Sequence, residues 1–185
     1  KPMDLSIEKV REAHQTLAEL SFEKKPVVRG YANRTLYINL SDHSIQIKPV
    51  TQQIKDLFTG GRGFCLWLLW NAVNDNTRWD DPENELVIAG GPIGGITAYP
   101  GTGKCTAVTI SPLTKSIIDS NGGGYFGPYL KFAGFDALEV QGIADREVVI
   151  ATPFTALAAV AAAVRSTPVQ VAGQNVAWEK EGAFT

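Results

Sequence analysis

Apolar and polar residues alternate or recur along most of this chain with periods that name its elements. Residues 4–20 place Ile7, Val10, His14 and Leu17 on one helical stripe, and Pro26 closes that region. This predicts an N-terminal helix added as an arm to the main domain. Leu36, Ile38 and Leu40 then alternate with Tyr37 and Asn39, Ser41 to Ser44 has turn composition, and Ile45 and Ile47 resume the alternation. Residues 34–50 therefore read as a β-hairpin. Thr51 suits the N-cap of a short helix through Phe58. The run FCLWLLWNAV is apolar enough to predict a helix buried on most sides.

Two strands follow, ELVIAGG and KCTAVTI, the second with Cys105, Ala107 and Thr109 on one face. A loop rich in glycine and proline, residues 90–103, joins them. Ser111-Pro112 stops the second strand. The stretch from Ser120 to Pro128 is expected to open a helix through Ala133, with Pro128 in its first turn and Gly134 at its end. DALEVQG and REVVIAT read as the two strands of a hairpin. Beyond Thr152 come an alanine-rich helix, a Thr-Pro break and a mixed tail. Strands and helices without strict alternation predict an α+β fold.

Composition narrows the function. The chain has 185 residues, 44% hydrophobic and 19% charged, with a formal charge of −2, which fits a soluble domain and excludes a generally basic nucleic-acid binder. The first twenty residues are too polar for a signal peptide, and the longest apolar run, residues 156–164, is far short of the ~20 a membrane span needs. No membrane role is expected. Two cysteines, Cys65 and Cys105, cannot alone form a four-thiolate metal or cluster site. A reducing, cytoplasmic setting is the simplest reading.

Glycine is the informative residue. Twelve of the 18 glycines lie between Gly90 and Gly142, and Gly60, Gly61 and Gly63 surround Arg62. PGTGKCT resembles the end of a P-loop, but Ala98 stands where the first glycine belongs and Cys105 replaces the magnesium-holding hydroxyl. Gly122, Gly124 and Gly127 have dinucleotide-loop spacing, but they follow Asp119-Ser120-Asn121 instead of a buried strand. His14 and His43 lack partners at metal-binding or catalytic spacing. What remains is an anion cradle. Asn121-Gly122-Gly123-Gly124 before a helix, Gly60-Gly61-Arg62-Gly63 before another, and Lys104 offer unblocked N–H groups and cations to one phosphorylated ligand.

Several blocks carry a resemblance. They are Gly60-Gly61-Arg62-Gly63, the run PENELVIAGGP from Pro82, Ser111-Pro112-Leu113-Thr114, and NGGGYFGPYLKFAGFDA from Asn121. In this order and spacing they resemble the N-terminal domain of the aldehyde ferredoxin oxidoreductase family of tungsten enzymes, over residues 30–142. The resemblance implies a β-rich α+β base carrying a tungsten (or molybdenum) bis-pterin, with a magnesium ion joining the pterin phosphates. It aligns Lys104 with a family Arg that reaches a phosphate, Asn121 with an asparagine whose carbonyl meets the magnesium, and Gly123 with a backbone contact. Gly122, Gly124 and Arg62 complete the expected cofactor-binding set, and Asn121 is the expected metal ligand. No catalytic residue is assigned.

The departures bear on completeness. After Ile150 nothing resembles the Arg- and Gly-rich loop that finishes the family's pterin site, and the cysteines of its [4Fe–4S] cluster are absent. The cluster is expected only in later domains or a partner chain. The expectation is therefore a cofactor-cradling part of an aldehyde-oxidising enzyme that passes electrons to a ferredoxin-like acceptor. It would be a fragment, a gapped chain or one subunit of a split enzyme, needing the remaining catalytic domains or subunit, with homo-oligomerisation left open. The expected division is 1–29 as the arm, 30–150 as the metallopterin-binding domain and 151–185 as an unassigned extension. Two alternatives stand beside it: a non-catalytic binding or assembly subunit that keeps the fold without metal, and a nucleotide-binding domain using the loop from Gly122 to Gly127.

Overall fold

A computed structural model describes residues 16–96, 98–143, 149–152 and 170–173. The chain divides into two compact units between Ile143 and Ala144. The first unit is built on a six-stranded mixed sheet. Its strands are β1 (Arg34–Asn39), β2 (Ile45–Pro49), β3 (Glu85–Gly90), β4 (Cys105–Ile110), β5 (Ile117–Gly122) and β6 (Ala137–Gln141), in the order β2-β1-β6-β3-β4-β5. Only the β1–β6 pair is parallel. Three helices accompany the sheet: α1 (Gln52–Phe58), α2 (Arg62–Ala72) and α3 (Phe126–Ala133).

The β1–β2 hairpin forms where the alternation predicts it, pairing Leu36 with Ile47 and Ile38 with Ile45. Thr51 caps α1 by accepting from the Ile54 N–H. Gly134 ends α3 in the left-handed region, with φ 100°. The dry core lies between α2 and one face of the sheet, where Phe64, Cys65, Leu69, Val87, Ala89, Val108 and Ala137 are buried. On the opposite face, Leu36, Ile38, Ile45, Ile47, Ile88, Leu138 and Val140 stay half-buried and Leu86 is exposed. The core face thus holds polar residues that the alternation of leucine and isoleucine did not advertise. Thr35 is buried there, its hydroxyl donating to buried Glu139, whose other oxygen meets Lys48 at 2.8 Å.

Four expectations need correction. Helix α2 is not buried on most sides: it turns Phe64, Cys65 and Leu69 inward but leaves Leu66 and Trp70 exposed. Asn121 and Gly122 do not open a helix. They end β5, opposite Thr106 and Cys105 of β4, and α3 begins only at Phe126. The strands DALEVQG and REVVIAT do not form a hairpin, because both edges of β6 are taken by β1 and β3. Finally, residues 16–20 carry no helix, and the rest of the predicted N-terminal helix lies outside the described residues. In the second unit, β7 (Val149–Thr152) pairs in parallel with β8 (Gln170–Gly173). The alanine-rich helix predicted between them, like the tail beyond, lies outside the described residues.

One buried acid leaves a measurable mark. Glu85 is buried on β3, its Oε2 atom has no partner, and burial, reinforced by Glu139, pushes its carboxyl up from 4.5 to about 7. The neutral acid's favourable contribution is complete below pH 4.5 and is lost as pH rises to about 7. Glu85→Gln should therefore flatten this part of the stability profile. It should gain on the order of 2 kcal/mol over the parent above pH 7 in denaturant titrations, with little difference near pH 4. A variant less stable than the parent at pH 8 would contradict this.

Candidate functional site

The predicted cradle residues come from three separate stretches that the sheet brings to one end. Strand β4 alternates, so Lys104 shares a face with Thr106. Continuing the β4–β5 register one step beyond Cys105 and Gly122 sets Lys104 opposite Gly123. A Cβ added at Gly123 would lie 3.6 Å from Lys104 Nζ. Lys104 and the Asn121 loop, 17 positions apart, thus share one place. Asn121 Oδ1 accepts from the Thr106 hydroxyl at 3.1 Å.

The glycines divide by what surrounds them. At Gly103 a Cβ would meet Gly124 O at 2.6 Å, and at Gly127 it would meet Cys105 Cβ at 3.2 Å. These two let α3 and its loop press against β4. At Gly61, Gly91, Gly101 and Gly124 a Cβ would find nothing within 4 Å. Gly61, Gly91 and Gly101 line a cavity of about 200 Å³ together with Lys104, Cys105 and Thr106. The Gly61 N–H donates to Gly90 O at 2.9 Å, which ties the loop before α2 to the end of β3. Larger clefts of about 440 Å³ beside Arg34 and about 660 Å³ beside Trp70 have no glycine in their walls.

Bare backbone and a primary ammonium suit the phosphate end of a ligand, while Asn121 and the loop after it lie beside Lys104 and Thr106 but do not line this cavity. The volume suits that end alone, since whole-ligand pockets run to ~300–1,000 Å³. Arg62 does not join the cavity wall. Its guanidinium pairs with Asp119 at 2.6 Å, both groups partly in water. Gly122 lies against the Cys105 sulfur. Both cysteines are free and buried, and burial pushes the Cys65 thiol up to about 12. Among the described residues no three His, Cys, Asp or Glu side chains are grouped to hold a metal.

Sequence reasoning missed Thr106 and Asp119. The signal for both is β5. Once Ile117–Gly122 is a strand, the register alone places Thr106 beside Asn121 and Asp119 on the same face. With Ser120 to Pro128 read as a helix-opening loop, that register was invisible.

The most specific motif residues are structural. Lys131, Asp136 and the turn from Gly30 to Asn33 form one buried cluster. Asp136 pairs with Lys131 and accepts from the Ala32 and Asn33 N–H groups at 3.0 and 2.7 Å, and Lys131 also donates to Gly30 O at 2.7 Å. Gly30, with φ 82°, packs so closely on Pro92 O that no Cβ would fit. The cluster thereby fixes one rim of the cavity.

A profile of the aldehyde ferredoxin oxidoreductase N-terminal domain matches residues 35–153. The tungsten-containing aldehyde ferredoxin oxidoreductase of Pyrococcus furiosus is 40% identical over 121 residues, covering 65% of this chain and 20% of that protein. The aliphatic sulfonate oxidoreductase WOR-like subunit of the same organism is 30% identical over 122 residues, 64% of this chain and 19% of that one. Among solved structures, the active site complex BamBC of benzoyl coenzyme A reductase with 1,5-dienoyl-CoA superposes with a TM-score of 0.61 at 30% identity, over 65% of this chain and 18% of its own. The chain spans about a fifth of the length of these proteins. A second profile, triosephosphate isomerase, matches residues 132–185. The triosephosphate isomerase of Solibacter usitatus is 41% identical over 75 residues, 40% of this chain and 30% of that enzyme.

Proposed function

Because the chain belongs to the aldehyde ferredoxin oxidoreductase family through its N-terminal domain, we propose that residues 30–150 cradle the metallopterin of a tungsten-dependent oxidoreductase. The observation that carries this reading is the meeting of Lys104 Nζ with the bare Gly123 backbone beside Asn121. Lys104 would hold a pterin phosphate as a point charge. The loop of Gly122, Gly123 and Gly124 would present main chain to it, and the Asn121 carbonyl would meet a magnesium ion. Arg62 reaches the ligand only by exchanging Asp119 for a phosphate, which a doubly charged anion favours. The metal, tungsten rather than molybdenum by the names of the relatives, supplies the oxidation chemistry when bound.

Aldehyde is the substrate class the identities favour, since the aldehyde enzyme is 40% identical and the sulfonate enzyme 30%. A cluster that passes electrons to a ferredoxin would be held by later domains or a partner. The half-buried aliphatic face of the sheet and the exposed Trp70 are the surfaces such domains would cover. Buried free thiols suit a reducing, cytoplasmic setting, and among the described residues no helix is long and apolar enough to cross a membrane. Tungsten analysis and pterin fluorescence on the natively purified assembly test the reading. Both should co-purify with it, and viologen-coupled aldehyde oxidation should require the later domains. An assembly without metal or pterin would favour the non-catalytic binding subunit.

No part in the cradle is proposed for residues 151–185. Two parallel strands need a crossover between them and further strands beside them, which fits a piece of the parallel β/α architecture of triosephosphate isomerase. At 30% of that enzyme's length, no isomerase activity is proposed. A chain cut after Ile143 should keep its melting temperature within about 2 °C, since both edges of β6 are already paired. A drop of about 10 °C or more would join the two units into one folding unit.

A further inference from the structure

Arg34 carries a charge that the fold leaves unused. It opens β1, where its carbonyl accepts from the Asp136 N–H. A guanidinium offers five N–H groups. Here Nη1 donates to Glu23 O at 2.9 Å, while Nε and Nη2 are buried without a partner. Among the described residues no carboxylate pairs with Arg34. The rings of Phe22 and Phe135, with centres 5.6 Å from Cζ, attract the charge but accept no hydrogen bond in the guanidinium plane. A cationic edge withdrawn from water and left unpaired is costly, so it marks a place for an acceptor. Phe22 and Glu23, which lie against it, belong to residues 16–27, which carry neither helix nor strand. An anion coming to this edge would displace that arm and leave the sheet intact.

The space beside Arg34 narrows the kind of anion. The cleft of about 440 Å³ is lined by Arg34 and Lys25 and by apolar walls that include Pro26, Val28, Ile47 and Pro49. Among the described residues no acid lines it, and the neighbouring cleft that shares Val28 and Asn33 adds Arg29 and Lys55. Its volume is that of a whole small ligand. Apolar walls disfavour a fully hydrated ion such as inorganic phosphate, whereas the planar Nε–Nη2 edge matches the two oxygens of a carboxylate. We propose that Arg34 anchors a binding site for a small organic carboxylate with an apolar tail. The carboxylate pairs with the Nε–Nη2 edge, and the tail lies on Val28 and Ile47. The site shares no lining residue with the cradle and does not depend on the metallopterin reading.

The test uses the full chain, with hexanoate as the probe. In NMR, the Arg34 Nε–H signal, identified by its absence in Arg34→Lys, should move downfield as hexanoate is added. In calorimetric titration, hexan-1-ol and inorganic phosphate should each bind about tenfold or more weakly than hexanoate, the first for want of charge and the second for want of a tail. Arg34→Gln should weaken hexanoate binding roughly ten- to a hundredfold, the size of a charge-assisted pair, and Arg34→Lys should fall between it and the parent. Val28→Glu leaves Arg34 in place and adds a competing carboxylate at an exposed point of the wall. It should weaken hexanoate binding about tenfold or more while the melting temperature holds. Hexan-1-ol bound as tightly as hexanoate would reduce the cleft to an apolar groove, phosphate bound as tightly would reduce it to a cationic patch, and either would overturn the proposal. So would an Nε–H signal that stays in place, a parent chain that binds no hexanoate, or an Arg34→Gln variant that binds within about twofold of the parent.

Discussion

Asp136→Asn will unfold at much lower denaturant than the parent chain, with a loss of about 3–5 kcal/mol. Asp136 is 1% exposed and neutralises Lys131, which is 4% exposed. The amide that replaces it has one acceptor oxygen where the carboxylate had two. One of the Ala32 and Asn33 N–H groups then faces an NH₂ donor, and the Lys131 ammonium stays buried without a counter-charge. Lys131→Met should lose less than Asp136→Asn, because the remaining carboxylate keeps two main-chain donors. Combining the two should cost less than their sum, since the second change removes a charge the first has orphaned. Urea titration of the three variants measures this. A loss below about 1 kcal/mol for Asp136→Asn would mean that the cluster is not buried as described.

That cluster also shows why a specific motif need not be a site. Lys131 and Asp136 lie in the block from Asn121 to Ala137 that carries the strongest resemblance, yet their polar atoms all turn to the chain itself, to Gly30, Ala32 and Asn33. Their contribution to the cradle is indirect. They hold Gly30 against Pro92, beside Gly91 in the cavity wall. A change at Lys131 is therefore expected to act on cofactor binding through stability.

What the sequence disclosed follows from how local each signal is. The hairpin of β1 and β2 needs only alternation and a four-residue turn, and α3 ends at Gly134 because a glycine tolerates φ 100° there. Strand β5 was hidden because Asp119-Ser120-Asn121-Gly122 is poor strand sequence, exposed throughout apart from a half-buried Gly122. Its pairing with β4 is set by register and not by propensity. The same non-local cause undid the β6–β7 hairpin: nothing within DALEVQG says that β1, a hundred residues earlier, occupies its free edge. That Lys104 and Gly123 come together was legible from resemblance and residue type. The Asp119 that engages Arg62 was not, because it depends on the β5 register.

Lys104→Ala is expected to lower retention of pterin and tungsten in the full assembly by roughly ten- to a hundredfold, the loss of a charge-assisted contact of ~1.5–3 kcal/mol. Lys104 Nζ is the cation beside the Gly123 backbone, whereas the nearby Arg62 is already engaged by Asp119. Among the described residues no second ammonium lines the cavity to compensate. Lys104→Arg should retain at least as much cofactor, because a guanidinium grips phosphate with two parallel N–H groups. Gly123→Val should do at least as much harm as Lys104→Ala. Its side chain would project toward Lys104 Nζ from 3.6 Å away and fill the gap a phosphate needs. Lys115→Ala, at the far end of β4 beside the Trp70 cleft, is the control and should retain the cofactor fully. Metal and pterin content per protein after gel filtration gives the measurement. If Lys104→Ala retains both at the parent level, Lys104 is a solvated lysine beside a structural turn, and the cradle is lost as a reading while the fold stands.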